Sequence, residues 1–348
     1  MDSAAAAAAA ANKPAEAPAK PPLSPSHFKV PVLGRKGWWR SIVGCGAYSF
    51  VTTTDRITAL KSHQVWEDGR CRAEHEDDCE ESLAREARVY ALLGNHPHIL
   101  TCSGLEVIHD GPDKDVYEGI YKRVYKRAHA LRIEFAPGGN LRSFIRDTRA
   151  DGIVPSLACR LRLARDVADA IAHIHHCGVR HCDLTCRNLF LAGDITDSDA
   201  WIIKLGDFGG AVIESEVPDG TYVNYVYEEQ AYDLPLRGRA HYSDRPPRKR
   251  ELFALGSAIY ELVAWCKPYE GLSEDEIEAK HNAEEMPPLD DGDVAVVAGI
   301  VRACWAEQYE NADTIVEALD RLLADELKQT QPDNTNDAES SGTDRLPN

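Results

Sequence analysis

Two loop-like stretches carry the side chains best suited to chemistry. His181-Cys182-Asp183-Leu184-Thr185-Cys186-Arg187-Asn188 precedes the apolar run Leu189-Phe190-Leu191, and Asp207-Phe208-Gly209 follows the strand-like stretch Trp201 to Leu205. Two carboxylates and an amide on loops beside short strands can hold hard cations and orient a hydroxyl. Each motif alone also has a plain structural reading, since Asp and Asn favour turns. Upstream, Ala59-Leu60-Lys61 ends a strand-like stretch, and Glu86 lies on a predicted helix. A buried Lys needs such a partner, because an unpaired buried charge is costly. Gly44-Cys45-Gly46-Ala47-Tyr48-Ser49-Phe50-Val51 sits between two predicted strands. Its glycines either let the backbone approach phosphates and offer N–H donors, or simply close a hairpin. A strand follows rather than a helix, so this is not the dinucleotide-binding pattern.

These residues need elements to position them. Trp38 to Val43, Tyr48 to Thr53, Arg56 to Lys61, Ile99 to Ile108 and Ala130 to Phe135 read as strands, and Cys79 to Leu93 as a helix with Leu83, Ala87, Tyr90 and Ala91 along one face. After Pro137-Gly138-Gly139 the pattern turns helical over Leu141 to Arg149, Ser156 to Cys177, Glu251 to Cys266, Glu274 to Ala283, Val294 to Cys304 and Ala312 to Lys328. A β-rich first part and an α-rich second part predict an α+β protein of two lobes. Residues 1–34 are Ala/Pro/Lys-rich and residues 329–348 polar and acidic, so both ends are expected to be disordered.

Composition narrows the function classes. The chain has 348 residues and a formal charge of −18, which argues against nucleic-acid or anionic-membrane binding as the main role. No apolar run is long enough for a transmembrane segment. The alanine run Ala4 to Ala11 follows an acidic Asp2 and lacks large apolar residues, unlike a secretory signal. The ten Cys are scattered without Cys-x-x-Cys, which predicts reduced thiols in the cytoplasm or nucleus.

The order of the motifs says more than any one of them. Gly loop, Lys on the third strand, Glu on the helix, H-x-D-L-x-x-x-N and D-F-G together resemble the eukaryotic-type protein kinase family, over roughly residues 36–327. Glu251-Leu252-Phe253-Ala254-Leu255-Gly256-Ser257 and Val301-Arg302-Ala303-Cys304-Trp305 look like two helices of its C-lobe, and the wording is similar to divergent kinases of filamentous fungi. The resemblance implies a bilobal kinase fold with an N-lobe over 35–136 and a C-lobe over 137–328. It also implies ATP and Mg²⁺ as cofactors and a protein substrate. Residue by residue, it puts Gly44, Gly46 and Val51 over ATP, with Ser49 in place of a third Gly, and Ala59 and Phe190 among the ATP-binding residues. It gives Lys61 to the phosphates with Glu86 as its ion-pair partner. Ile133 falls at the gatekeeper, and Glu134 and Ala136 offer hinge backbone to adenine. Asp183 matches the catalytic base, and Asn188 and Asp207 match the metal ligands.

Departures from the family pattern qualify this reading. Cys182 replaces the usual Arg, so a cationic dock for a phosphorylated loop is missing. Thr185 stands where Ser/Thr kinases usually carry Lys, and Arg187 where tyrosine kinases carry Arg, so Arg187 is a candidate to neutralise the transferring phosphate. No Ala-Pro-Glu follows Asp207; Pro235 or Pro246 marks its place, with an insertion around Arg237 to Arg250. The Arg that pairs with that Glu in the family is also missing from Ala306 to Ala312, and losing both partners leaves no orphaned charge.

Two basic clusters interrupt the acidic chain: Lys122, Arg123, Lys126 and Arg127, and Arg245 with Arg248-Lys249-Arg250. They read as solvated faces, or as docks for acidic protein or lipid headgroups. Tyr117, Tyr121 and Tyr125 fit either an inserted helix or strands. The leading expectation is an ATP-dependent kinase of protein Ser/Thr rather than Tyr. A catalytically weak pseudokinase scaffold and a small-molecule kinase are the rivals.

Overall fold

The structure is a computed structural model that describes residues 32–33, 42–45, 49–53, 55–62, 64–66, 71–72, 79–110, 127–218 and 228–330. The first lobe is a five-stranded antiparallel sheet of β1 (Ile42–Cys45), β2 (Phe50–Thr52), β3 (Thr58–Ser62), β4 (Cys102–Asp110) and β5 (Arg127–Glu134), ordered β1-β2-β3-β5-β4. Helix α1 (Cys79–Leu93) begins and ends where the periodicity predicts. β3 is central, so Lys61 lies between Val51 of β2 and Leu131 of β5. Ahead of it, Asp55 closes the turn by accepting the N–H groups of Ile57 and Thr58 at 2.9 and 2.8 Å. A separate small sheet pairs Val32–Leu33 with Gln64–Trp66 and that strand with Cys71–Arg72. The cluster Lys122 to Lys126 and the tyrosines Tyr117, Tyr121 and Tyr125 lie outside the described residues, as does Gly46.

The chain passes to the second lobe through Pro137-Gly138-Gly139. Gly138 has no room for a side chain, since a Cβ there would stand 2.8 Å from the Leu191 Cβ. That close approach is held by Gly138 N–H donating to Leu191 O and Leu191 N–H to Gly139 O, both at 2.9 Å. Asn140 then caps α2 (Leu141–Ala150) by accepting from Ser143 N–H, and Ser156 caps α3 (Leu157–His176) by accepting from Cys159 N–H. Short strand pairs follow: β6 (Val179–Arg180) with β9 (Val212–Ile213), and β7 (Leu189–Ala192) with β8 (Ile202–Leu205). Helices α4 (Pro247–Ala264), α5 (Glu274–Asn282), α6 (Val294–Trp305) and α7 (Asp313–Thr330) complete the lobe. This is the α+β, two-lobed architecture expected. No described helix is long and apolar enough to cross a membrane.

α4 is buried on all sides from Arg250 to Val263, which suits its apolar run but leaves Glu251 and Glu261 as charges inside the core. Gly256 lets α6 approach closely, and Trp305 of α6 donates its indole N–H to Ser257 at 3.0 Å. The stretch Arg237 to Arg250 is not all insertion, because Pro247–Arg250 form the first turn of α4.

The second basic cluster is not a free basic face, and that expectation is corrected. Arg245 is buried against Asp233, Arg250 against Glu228, Arg248 meets Glu214 at 2.8 Å and Lys249 meets Glu310 at 2.7 Å. Each cation has an internal counter-ion, which sequence spacing alone does not reveal.

Both partners of the family's bridge are absent from the sequence, and a different ion pair joins the segment after Asp207 to the end of α6. Arg237 and Arg239 meet Glu307 at 3.2 and 2.7 Å. Glu307→Arg should lower stability by about 1–2 kcal/mol, less than the roughly 3–5 kcal/mol of a fully buried pair because these side chains keep some solvent. Urea unfolding would measure this. Recovery in the triple variant Arg237→Glu, Arg239→Glu, Glu307→Arg would confirm the pairing, and an unchanged midpoint in the single variant would refute it.

Candidate active site

Alternation along β3 puts Ala59 and Lys61 on one face, and helical spacing along α1 puts Leu83, Glu86, Val89, Tyr90 and Leu93 on its buried face. Where they meet, the Lys61 ammonium donates to both Glu86 oxygens at 3.0 and 2.8 Å and to Asp207 Oδ1 at 2.6 Å. Burial by itself would lower the Lys61 pKa, but Glu86 and Asp207 override it and hold the ammonium charged. Burial would likewise raise the Asp207 carboxyl, yet Lys61 holds it below the ordinary carboxylate range.

Asp207 is fixed from both sides. Its backbone is left-handed, with φ 60° and ψ 66°, a conformation that costs a non-Gly residue energy and persists only where neighbours impose it. Before it, Gly206 is hemmed in by Leu100 and Phe190; a Cβ would stand 2.5 Å from Leu100 Cδ1. The Gly206 carbonyl accepts from His181 Nε2 at 3.0 Å. After it, Phe208 is fully buried, edge-on to Tyr90 at 4.9 Å and 5.0 Å from His181. Arg85 of α1 donates to Gly209 O at 3.0 Å. Phe208 thus packs α1 onto the second lobe while turning the Asp207 carboxylate toward Lys61.

The His181–Asn188 loop is folded on itself. Asp183 N–H donates to His181 Nδ1 at 3.2 Å, so His181 Nε2 carries the hydrogen given to Gly206 O. Asn188 Nδ2 donates to the Asp183 carbonyl and to Asp183 Oδ2, both at 2.8 Å. Burial pushes the Asp183 carboxyl up against the opposing pull of His181, Asn188 and Arg187. Cys182 takes the left-handed conformation, and its N–H donates to Glu251 Oε1 at 2.7 Å. Its thiol is pushed up to about 12 by burial and by Glu251, so it is an inert neutral group. Beside this loop, the Glu228 carboxyl of the chain itself lies on Arg250.

The remaining predicted residues are placed as follows. Gly44 pairs with Val51 at an irregular register of β1 and β2, and Val51 packs on the core beneath. Ala59 faces Ile133 across β3 and β5. Glu134 gives its N–H to Thr101 O at 2.8 Å, and its carboxylate accepts from Lys204 at 3.0 Å and from Thr101 N–H at 3.1 Å, so its amide is already used. Phe190 lines the approach to Gly206. Arg187 lies in the Asp183 loop, and its charge pulls against the rise of the Asp183 carboxyl. The Arg187 side chain extends outward to Glu229 at 3.4 Å. Thr185 is buried, and its hydroxyl accepts from Arg187 N–H.

The residues fit a Mg²⁺-nucleotide. Asn188 commits both donated contacts to Asp183, so its amide oxygen points elsewhere, and Asp207 adds a carboxylate. Two hard oxygens suit an ion that fills its other positions with phosphates and water. Among the described residues no three His, Cys, Asp or Glu gather into a metal site of their own. Asp207→Asn should weaken Mg·ATP binding roughly tenfold or more, because a charged oxygen ligand is lost, while adenosine, which has no phosphates, binds nearly as before. Calorimetric titration with both ligands checks this; equal losses would show a damaged pocket instead.

Sequence reasoning gave no role to Glu251, Glu229 or His181. Their signal was present for two of them: Glu251 is a carboxylate inside an apolar helix, and His181 stands two positions before Asp183.

Comparison with known proteins agrees with this geometry. Residues 40–333 match the family described as protein kinase domain. The serine/threonine/tyrosine-protein kinase HT1 of Arabidopsis thaliana is 24% identical over 214 residues, 58% of this chain and 50% of that protein. The serine/threonine-protein kinase RAD53 of Saccharomyces cerevisiae is 24% identical over 275 residues, 74% of this chain and 30% of that protein. Mitogen-activated protein kinase kinase kinase 20 of Arabidopsis thaliana is 29% identical over 184 residues, 53% of this chain and 47% of that protein. The chain therefore spans half or less of the length of these relatives.

Proposed function

The chain belongs to the protein kinase family, and from that premise we propose that it transfers the γ-phosphate of ATP to a protein hydroxyl, on Ser or Thr rather than Tyr. The observation that carries this reading is the joined set of Lys61 on both Glu86 and Asp207, with Asp183 held by Asn188 and within reach of the Asp207 charge. Phosphoryl transfer asks mainly for positioning and charge neutralisation. Lys61 would hold phosphate oxygens, and its pairing with Glu86 keeps it aimed. Asp183 would orient the acceptor hydroxyl and take its proton. Bound Mg²⁺, held through Asn188 and Asp207, would neutralise charge on the phosphates.

A scaffold without activity has no chemical need for all five of these groups, paired as Lys61 with Glu86 and Asp207 and as Asp183 with Asn188. Serine/threonine appears in the descriptions of HT1 and RAD53, and HT1 adds tyrosine, so acceptor choice rests on the proposal. The finer likeness to filamentous-fungal kinases and a cytoplasmic or nuclear setting belong to the same reading. Incubation with labelled ATP, Mg²⁺ and a panel of proteins, amino sugars and choline tests it. Label on protein Ser or Thr is expected. Label on a metabolite would make it a small-molecule kinase, and no label at all a pseudokinase.

A further inference from the structure

We propose that Arg187, supported by Lys267, recognises an acidic residue flanking the acceptor in the protein substrate; this rests on the protein-kinase reading above. Asp183, Thr185 and Glu229 border one small buried cavity, and the Arg187 charge acts on the Asp183 carboxyl, so the charges gathered at Glu229 lie beside the Asp183 loop. Three cations gather there. Arg142 binds both Glu229 oxygens at 2.8 and 2.9 Å and both Glu261 oxygens at 2.7 Å. Lys267 meets Glu229 at 2.7 Å and Arg187 meets it at 3.4 Å. Tyr232 donates its hydroxyl to Glu261 at 2.6 Å and adds no charge.

Three cations thus face two carboxylates within this contact set. Arg142 is committed on both sides, so the surplus positive charge falls on Arg187 and Lys267, which share a carboxylate already bound bidentately. Arg187 is also the open member: its side chain is 53% exposed, against 28% for Lys267 and 4% for Glu229. Glu274, the nearest further acid on α5, meets the Gln230 N–H rather than these cations. A half-exposed guanidinium has a planar fork that matches a carboxylate, and in a chain of charge −18 a local positive surplus steers anions to one place. The alternative for Arg187 is the transferring phosphate. Its ion pair with Glu229 and its half-exposed side chain favour the flanking residue, and the peptide series separates the two.

The test is a peptide series in which each position flanking a Ser or Thr acceptor carries Asp, Lys or Gly, read as kcat/KM with the full chain, ATP and Mg²⁺. The wild-type protein should prefer Asp over Lys at one position by about tenfold, the scale of one charge-assisted contact. Arg187→Gln should bring that ratio close to one, Lys267→Gln should lower it in part, and Arg187→Lys should restore it in part. Thermal unfolding checks that each variant is folded. Absence of an acidic preference in the wild-type protein would overturn the inference while leaving the kinase reading standing. So would Arg187→Gln slowing the Asp and Lys peptides by the same factor, which would put Arg187 on the phosphate. Should no peptide be phosphorylated, the kinase reading falls, and fluorescence anisotropy of the same peptides decides the inference by itself. Tighter binding of the Asp peptide that is lost in Arg187→Gln supports it, and equal binding of all peptides refutes it.

Discussion

Asp183→Asn is expected to fold normally and to transfer phosphate about 10²–10⁴-fold more slowly, the range of a positioned acid–base group. The substitution is nearly isosteric and keeps an oxygen for the Asn188 amide, which donates to Asp183 Oδ2 at 2.8 Å in the wild-type protein. What it removes is the ability to accept a proton. It also removes a partly buried charge, so thermal stability should not fall. Because burial raises the Asp183 carboxyl, the wild-type rate should climb with pH along an acid limb that lies above the ordinary carboxylate range. Below that limb Asp183 is protonated and cannot serve as base. Initial rates with labelled ATP across pH, beside melting curves, check both points. Near-full activity in Asp183→Asn would remove Asp183 from the mechanism.

The second large effect is on stability. Glu251→Ala should destabilise the protein by roughly 3–5 kcal/mol, as expected when one partner of a buried charged network is removed. That is a large share of the roughly 5–15 kcal/mol by which folded domains are stable. Glu251 sits at the start of α4 and is fully buried. One oxygen accepts the Cys182 N–H at 2.7 Å and the other lies 2.6 Å from His175 Nε2. It therefore ties α3 and the Asp183 loop to the core, and its loss leaves both donors without a partner. Glu251→Gln should cost less, since its amide oxygen can still accept from Cys182.

Acid titration separates these variants further. Burial would raise the Glu251 carboxyl, but the His175 hydrogen bond and charge, with the Cys182 N–H, bring it below its ordinary value of 4.5. A carboxyl lowered in the folded state contributes stability that is present above its unfolded pKa and is lost as pH falls through its folded pKa. The stability gap between the wild-type protein and Glu251→Gln should therefore narrow below about pH 4.5. Urea midpoints at several pH values measure it, and a gap that stays constant into strong acid would show that Glu251 carries no such linkage.

Local sequence determined much of this protein. The apolar period of Cys79 to Leu93 set the limits of α1, and alternation along β3 put Lys61 on the same face as Ala59. The order of the Gly loop, Lys61, Glu86, Asp183 to Asn188 and Asp207 identified the family, because each motif is short and needs only its own neighbours to be legible. Tertiary structure decided the rest, and the reason is range. Arg245 and Arg250 look like one basic run with Arg248 and Lys249, yet they are buried on Asp233 and Glu228. Glu307 and Arg239 lie 68 positions apart and meet at 2.7 Å. Glu229 collects Arg142, Arg187 and Lys267 from three different elements. Periodicity states which face of an element is buried, but an ion pair depends on which distant charge the fold carries to that face. The charge surplus beside Asp183 came into being only when the chain closed around it.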